Sequence, residues 1–177
     1  MCRLEVKAIE AGNTKYFENV CNYIAKDCKC EKGFIGATNA YLPTNRSIMV
    51  EEISSQMNND RIYHQQENSR LGLHLTVAFA PSECKSLNRR TILNIGYQLA
   101  EKEFPDCTTY FAVHDHSENL HLHMLVGTVK HSDGRMYACG PRGWRSIGHS
   151  VADFLKEYVL EEDIAELQFA TPKKEKN

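Results

Sequence analysis

Four of the eight histidines fall within ten residues, in the run His114-Asp115-His116-Ser117-Glu118-Asn119-Leu120-His121-Leu122-His123. Residues two apart on a strand share a face, so His121 and His123 project together while Leu122 and Met124 turn to the core. His114 closes the preceding β-rich run, and a hairpin turn brings its ring beside that pair. Three converging imidazoles with open positions suit a divalent metal acting as Lewis acid. A single histidine is most often satisfied by a backbone partner, whereas an i, i+2 pair joined by a third ring at a neighbouring strand end points to a site.

Two other histidine chemistries fail on the residues themselves. A histidine-triad hydrolase continues the alternation with a third histidine, but position 125 is Leu125. A two-histidine phosphoesterase needs two His-x-Thr/Ser units on paired strands, and His74-Leu75-Thr76 supplies one without a second.

The elements that must position these residues are legible from periodicity. Residues 4–9 alternate apolar and polar side chains, the period of a strand with one buried face. After Gly12-Asn13-Thr14, the residues Phe17, Val20, Cys21 and Ile24 recur at helical spacing. Residues 26–45 read as loop with at most a short strand at Phe34-Ile35. Residues 48–58 have weaker helical periodicity, and 61–70 read as a polar loop. Residues 73–79 form a strand stopped by Pro81, and 87–104 a long helix closed by Pro105. The runs 108–113 and 120–129 outline a hairpin around the histidine-rich turn. The glycines at 134, 140 and 143 mark a long loop, and 147–158 a last helix. This order predicts an α+β domain with a central antiparallel sheet flanked by helices.

Length and composition bound the rest. With 177 residues and 42% hydrophobic content the chain supports one core, read as a domain over residues 1–170 with a lysine-rich flexible tail at 171–177. A formal net charge of −2 confines any nucleic-acid surface to local patches. The seven cysteines form an odd set with no repeated Cys-x-x-Cys and no signal peptide before them, which favours reduced thiols and a cytoplasmic location. Cys21, Cys28 and Cys30 lack a fourth ligand and zinc-knuckle spacing. No apolar run is long enough to span a bilayer. Basic residues gather at Lys26, Lys29 and Lys32, at Arg61 and Arg70, and at Arg135, Arg142 and Arg145 beside Trp144. Backbone neutralisation with a stacking aromatic is the grammar of single-stranded nucleic-acid binding, which makes Lys26, Arg142, Trp144 and Arg145 candidates for nucleotide contact; the alternative is that Trp144 covers the sheet edge and the arginines are solvated.

The histidine run resembles motif three of plasmid-mobilisation relaxases of the MobA/VirD2-like, MOBP type, within the HUH endonuclease superfamily. The family commonly reads His-x-Asp, four residues, then His-x-His, which His114, His121 and His123 match as metal ligands. His116 departs from it, standing where aspartate is usual. His116 then becomes an additional or alternative ligand, or Asp115 supplies the carboxylate from one position away; the sequence leaves both open. The stretch His74-Leu75-Thr76-Val77-Ala78-Phe79-Ala80-Pro81-Ser82-Glu83 is similar to the family's second signature, with Ala78 at a usual serine. The resemblance implies a ferredoxin- or palm-like HUH fold and a Mg or Mn cofactor, with Zn, Co or Ni as substitutes in crystals. Its substrate would be single-stranded DNA at an origin of transfer. Relaxosome accessory proteins and a type IV coupling protein would be partners.

Relaxases attack the scissile phosphodiester with an N-terminal tyrosine, and Asn22-Tyr23-Ile24-Ala25-Lys26 resembles that position. Helix geometry places Tyr23 roughly 100° from the centre of the buried stripe. Tyr16, seven residues earlier and on nearly the same face, is the internal competitor. His74 is a candidate base or phosphate-positioning group. A rolling-circle replication initiator is the nearest alternative, with Tyr137 or Tyr158 as its nucleophile after the histidine pair. A DNA-binding accessory protein with a degraded site is the other.

Overall fold

The computed structural model describes residues 3–26, 34–45, 48–79, 87–115, 119–137, 141–158 and 168–169, without the side chains of Lys26, Pro141, Arg142, Trp144, Arg145, Gln168 and Phe169. The element order is β1 (Arg3–Ile9), α1 (Thr14–Lys26), β2 (Ile35–Thr38), α2 (Met49–Tyr63), β3 (Gly72–Ala78), α3 (Arg89–Glu103), β4 (Thr109–His114), β5 (His121–Val126), α4 (Pro141–Leu155) and β6 (Gln168–Phe169). The strands form one sheet in the order β2-β4-β5-β3-β1-β6. Every pairing is antiparallel except β1 with β6. The predicted antiparallel α+β architecture is the observed one.

Both faces of the sheet are covered, so strand alternation sorts residues between two apolar layers. Leu73, Leu75, Val77, Phe111, Val113, Leu122, Met124 and Val126 enter one core with the inward residues of α3 and α4. Ile9, Ile35, Tyr110, Ala112 and Leu125 enter the other, against Phe17, Val20, Cys21 and Ile24 of α1 and Met49, Ile53 and Met57 of α2. Phe111 is the tightest point of the first layer. A Cβ on Gly36 would stand 2.2 Å from its ring and one on Gly96 2.7 Å, so both glycines permit a close approach.

Two boundaries and one strand differ from the sequence expectation. Helix α2 continues to Tyr63 because Arg61 extends the 49, 53, 57 stripe at the same four-residue spacing and is buried. Its guanidinium is satisfied by Asn58 Oδ1 and by the carbonyls of Glu67 and Ser69, which also folds the following polar loop onto the helix. Helix α4 starts at Pro141 rather than 147, with proline at a first-turn position where its missing N–H costs nothing. Strand β6 was not anticipated at all. Asn88 caps α3 by accepting from the Thr91 N–H at 2.9 Å. The tail at 171–177 lies outside the described residues.

Candidate active site

Register builds the site before any side chain is considered. His114 pairs with His121 across the β4–β5 hairpin, and Ala112 with His123. On the other side of β5, Ala78 pairs with His121 and Thr76 with His123. Beyond β3, Arg3 pairs with Ala78, Glu5 with Thr76 and Lys7 with His74. All of these positions share the α1 face of the sheet. Where α1 and α2 do not cover it, they leave a cleft of about 350 Å³ lined by Arg3, Glu5, Lys7, Tyr23, His74, Thr76, Ala78, His121 and His123.

Helix α1 carries Tyr23 to this cleft. Its apolar stripe is fully buried, which fixes the helix rotation and leaves Tyr23 at the border, half-buried. The phenol ring stands edge-on to two imidazoles, 4.4 Å from His114 and 4.8 Å from His123 between ring centroids. His114 and His123 lie 4.8 Å apart and His121 and His123 6.0 Å apart. Five residues proposed from sequence, Tyr23, His74, His114, His121 and His123, are therefore brought together from four elements.

Tyr16 occupies a different place from Tyr23. Its hydroxyl is hydrogen-bonded to His74 Nδ1 at 2.9 Å. His74 Nε2 is in turn 3.2 Å from His123 Nδ1, and Thr76 Oγ1 is 3.2 Å from that same nitrogen. Burial pulls the His74 pKa down to about 4, helped by the positive charge of Lys7 and by His114 and opposed by Glu5. Burial and Glu5 both raise the Tyr16 phenol.

The donor chemistry fits a divalent ion. Imidazoles bound about 2 Å from one ion have ring centroids roughly 4.5 to 6.5 Å apart, which spans the spacings of this cluster. Among the described residues no group of three or more His, Cys, Asp or Glu side chains is already arranged to hold a metal ion. The Asp115 carboxylate pairs with Arg89 at the start of α3, on the opposite side of the sheet. His116 lies outside the described residues.

The basic residues distribute unevenly. Arg61 is buried within its own loop and Arg70 pairs with Glu10 at 3.0 Å. Arg142, Trp144 and Arg145 belong to the first turn of α4, not to a loop. Their neighbour Gly143 lines a groove with Glu103 and Tyr137, near the C-terminal end of α3 and away from the cleft. Lys26 ends α1, and its side chain is outside the description. Sequence reasoning missed Arg3, Glu5 and Lys7, the polar half of the first alternating strand. Their signal was that alternation itself, and only the pairing with β3 gives it meaning. Tyr137 and Tyr158 stand on the other face, the first packed on Phe104 at 5.3 Å with its phenol pushed up to about 12 by burial, the second bonded to Gln98.

Residues 23–160 match the family model of the MobA/VirD2-like relaxase nuclease domain. The chain belongs to that family. It is thus a relaxase nuclease domain, a DNA endonuclease by family, and the match begins at Tyr23. A sequence search of curated proteins finds no match. Among solved structures, the relaxase fold is similar to one from a study of the molecular basis of vancomycin resistance transfer in Staphylococcus aureus. That likeness has a TM-score of 0.60 at 10% identity, over 99% of this chain and 100% of the other. It is also similar to the MobM relaxase domain (MOBV; Mob_Pre) bound to 26-nucleotide pMV158 origin-of-transfer DNA, with a TM-score of 0.57 at 14% identity, over 99% and 96% of the two chains. A manganese-bound crystal structure of MobM with 22-nucleotide DNA matches with a TM-score of 0.58 at 13% identity, over 99% and 95%. No helix among the relaxase's described residues is long and apolar enough to cross a membrane.

Proposed function

We propose that this relaxase nicks and rejoins one strand of DNA at an origin of transfer, with Tyr23 as nucleophile. The observation that carries this reading is the seat of Tyr23, edge-on to His114 and His123 at the cleft. Tyr23 Oη attacks the scissile phosphorus, the bond from phosphorus to the 3′ oxygen breaks, that oxygen takes up a proton, and the 5′ phosphate stays on the tyrosine. The phenolic proton is lost to solvent or a neighbouring base during attack. One phosphodiester replaces another, so the 3′ hydroxyl can reverse the reaction.

His114, His121 and His123 would hold a divalent ion, Mg or Mn in the cell, which would supply Lewis-acid stabilisation of charge on the non-bridging phosphate oxygens. Arg3 brings positive charge to the cleft floor beside Lys7, which is paired with Glu5 at 2.9 Å, and a DNA backbone is held by such cations. Placement of Tyr137 and Tyr158 on the far face favours this assignment over a rolling-circle initiator. The MOBP subclass, a plasmid or integrative element as the mobilised DNA, relaxosome and type IV coupling partners, and a cytoplasmic site of action belong to the same proposal.

Single-stranded oligonucleotides tiled over the DNA flanking the gene, incubated with the protein and Mn²⁺, test it. Wild type is expected to give a detergent-stable protein–DNA adduct that Tyr23→Phe loses and His123→Ala strongly reduces. Binding without cleavage across the tiling would instead identify a DNA-binding accessory.

A further inference from the structure

The cleft contains a hydrogen-bonded chain that the nicking chemistry leaves unused: Tyr16 Oη, His74 Nδ1, His74 Nε2, His123 Nδ1. A neutral imidazole carries one N–H, so each ring passes on the polarity it receives. If Tyr16 donates to His74 Nδ1, then His74 Nε2 donates to His123 Nδ1, and His123 bears its own proton on Nε2. If His123 Nδ1 donates to His74 Nε2, then His74 Nδ1 donates to Tyr16 Oη, and His123 Nε2 carries a lone pair. Only the second setting makes His123 a metal ligand through Nε2. Thr76 Oγ1, 3.2 Å from His123 Nδ1, can accept from that N–H in the second setting or donate to that nitrogen in the other, so it is compatible with both.

We infer that His74 and Tyr16 are positioning residues that fix His123 in its Nδ1–H tautomer and so present Nε2 to the divalent ion. Both ring nitrogens of His74 are engaged, one with Tyr16 and one with His123. Its ring lies stacked near His123 at 5.5 Å, sandwiched between β1 and β5 in the sheet grid, so the contact is held by backbone register rather than by a mobile side chain. An orienting acceptor for a ligating histidine is ordinarily a carboxylate or carbonyl. Here a second imidazole takes that place, with Tyr16 Oη accepting from its Nδ1–H in the same setting. The same chain explains why Tyr16 is a poor rival to Tyr23: its hydroxyl belongs to the positioning device. This inference rests on the metal assignment to His114, His121 and His123.

Manganese titration by calorimetry, with no DNA present, tests it. Wild type is expected to bind Mn²⁺, and His74→Leu to bind about 10- to 100-fold more weakly. His74→Gln, whose side-chain carbonyl can accept from His123 Nδ1–H, should recover most of that loss, and Tyr16→Phe should lose a few-fold. Long-range proton–nitrogen NMR on the metal-free protein adds a readout that a purely structural role would not move. His123 should carry its proton on Nδ1 in wild type and His74→Gln, and shift toward Nε2 in His74→Leu. Equal Mn²⁺ affinity and an unchanged His123 tautomer in folded His74→Leu would overturn the inference while leaving the metal site intact. Failure of wild type to bind Mn²⁺ would instead overturn the metal assignment, and the inference with it.

Discussion

The two faces of one sheet differ in what they are for, although the same strands supply both. Toward α3 and α4, β5 presents Leu122, Met124 and Val126, β4 Phe111 and Val113, and β3 Leu73, Leu75 and Val77. Toward α1 the same strands present His121, His123 and Leu125, then Tyr110, Ala112 and His114, then His74, Thr76 and Ala78. One face is apolar but for Thr109 at the start of β4, and the other changes from apolar to imidazole within a strand's length. Rigid support behind a row of histidines keeps their register fixed, so the chemistry sits on an element that does not have to move.

Mutations that respect this division should separate stability from activity. Phe111→Ala, emptying a fully buried ring site between two glycines, is expected to lower unfolding free energy by about 3 to 5 kcal/mol in urea denaturation. His121→Ala, at a part-buried position on the other face, should cost far less stability while removing most nicking. Equal destabilisation by the two would erase the contrast between the faces. Next in size is Gly96→Ala, whose new methyl would meet the Phe111 ring at 2.7 Å and should cost about 1 to 3 kcal/mol by the same assay.

Each layer also holds a buried thiol, Cys21 under α1 and Cys107 under α3, both pushed up to about 12 by burial. Their raised folded pKa means that the unfolded chain releases these protons first. Stability from each thiol is therefore intact below about pH 9 and lost as pH rises toward 12, at about 1.4 kcal/mol per pH unit. Denaturation midpoints measured from pH 8 to 10.5 should fall accordingly, and Cys21→Ala should flatten the slope. Smallest is Asn88→Ala, which removes the α3 cap and is expected to cost about 1 kcal/mol.

Much of this was legible from the residues. Strand alternation put His121 and His123 on one face, and the helical stripe of α1 placed Tyr23 at its border, because both periods are local properties. What escaped depends on distant partners. Arg61 reads as a surface charge until Asn58 and the carbonyls of Glu67 and Ser69 enclose it, and helix α2 is longer for that reason. Glu5 and Lys7 read as the solvent side of a strand until β3 lays Thr76 and His74 beside them. Pro141 reads as a loop residue unless it is taken as the first turn of a helix. The Tyr16–His74–His123 chain joins residues 58 and 49 positions apart, beyond any local pattern.

The central claim is the seat of Tyr23 over the imidazoles, and mass spectrometry of the peptide–oligonucleotide adduct tests it most directly. Digestion of the trapped wild-type complex should place the nucleotide mass on the peptide containing Tyr23. An adduct on Tyr16 or Tyr137 would contradict the account.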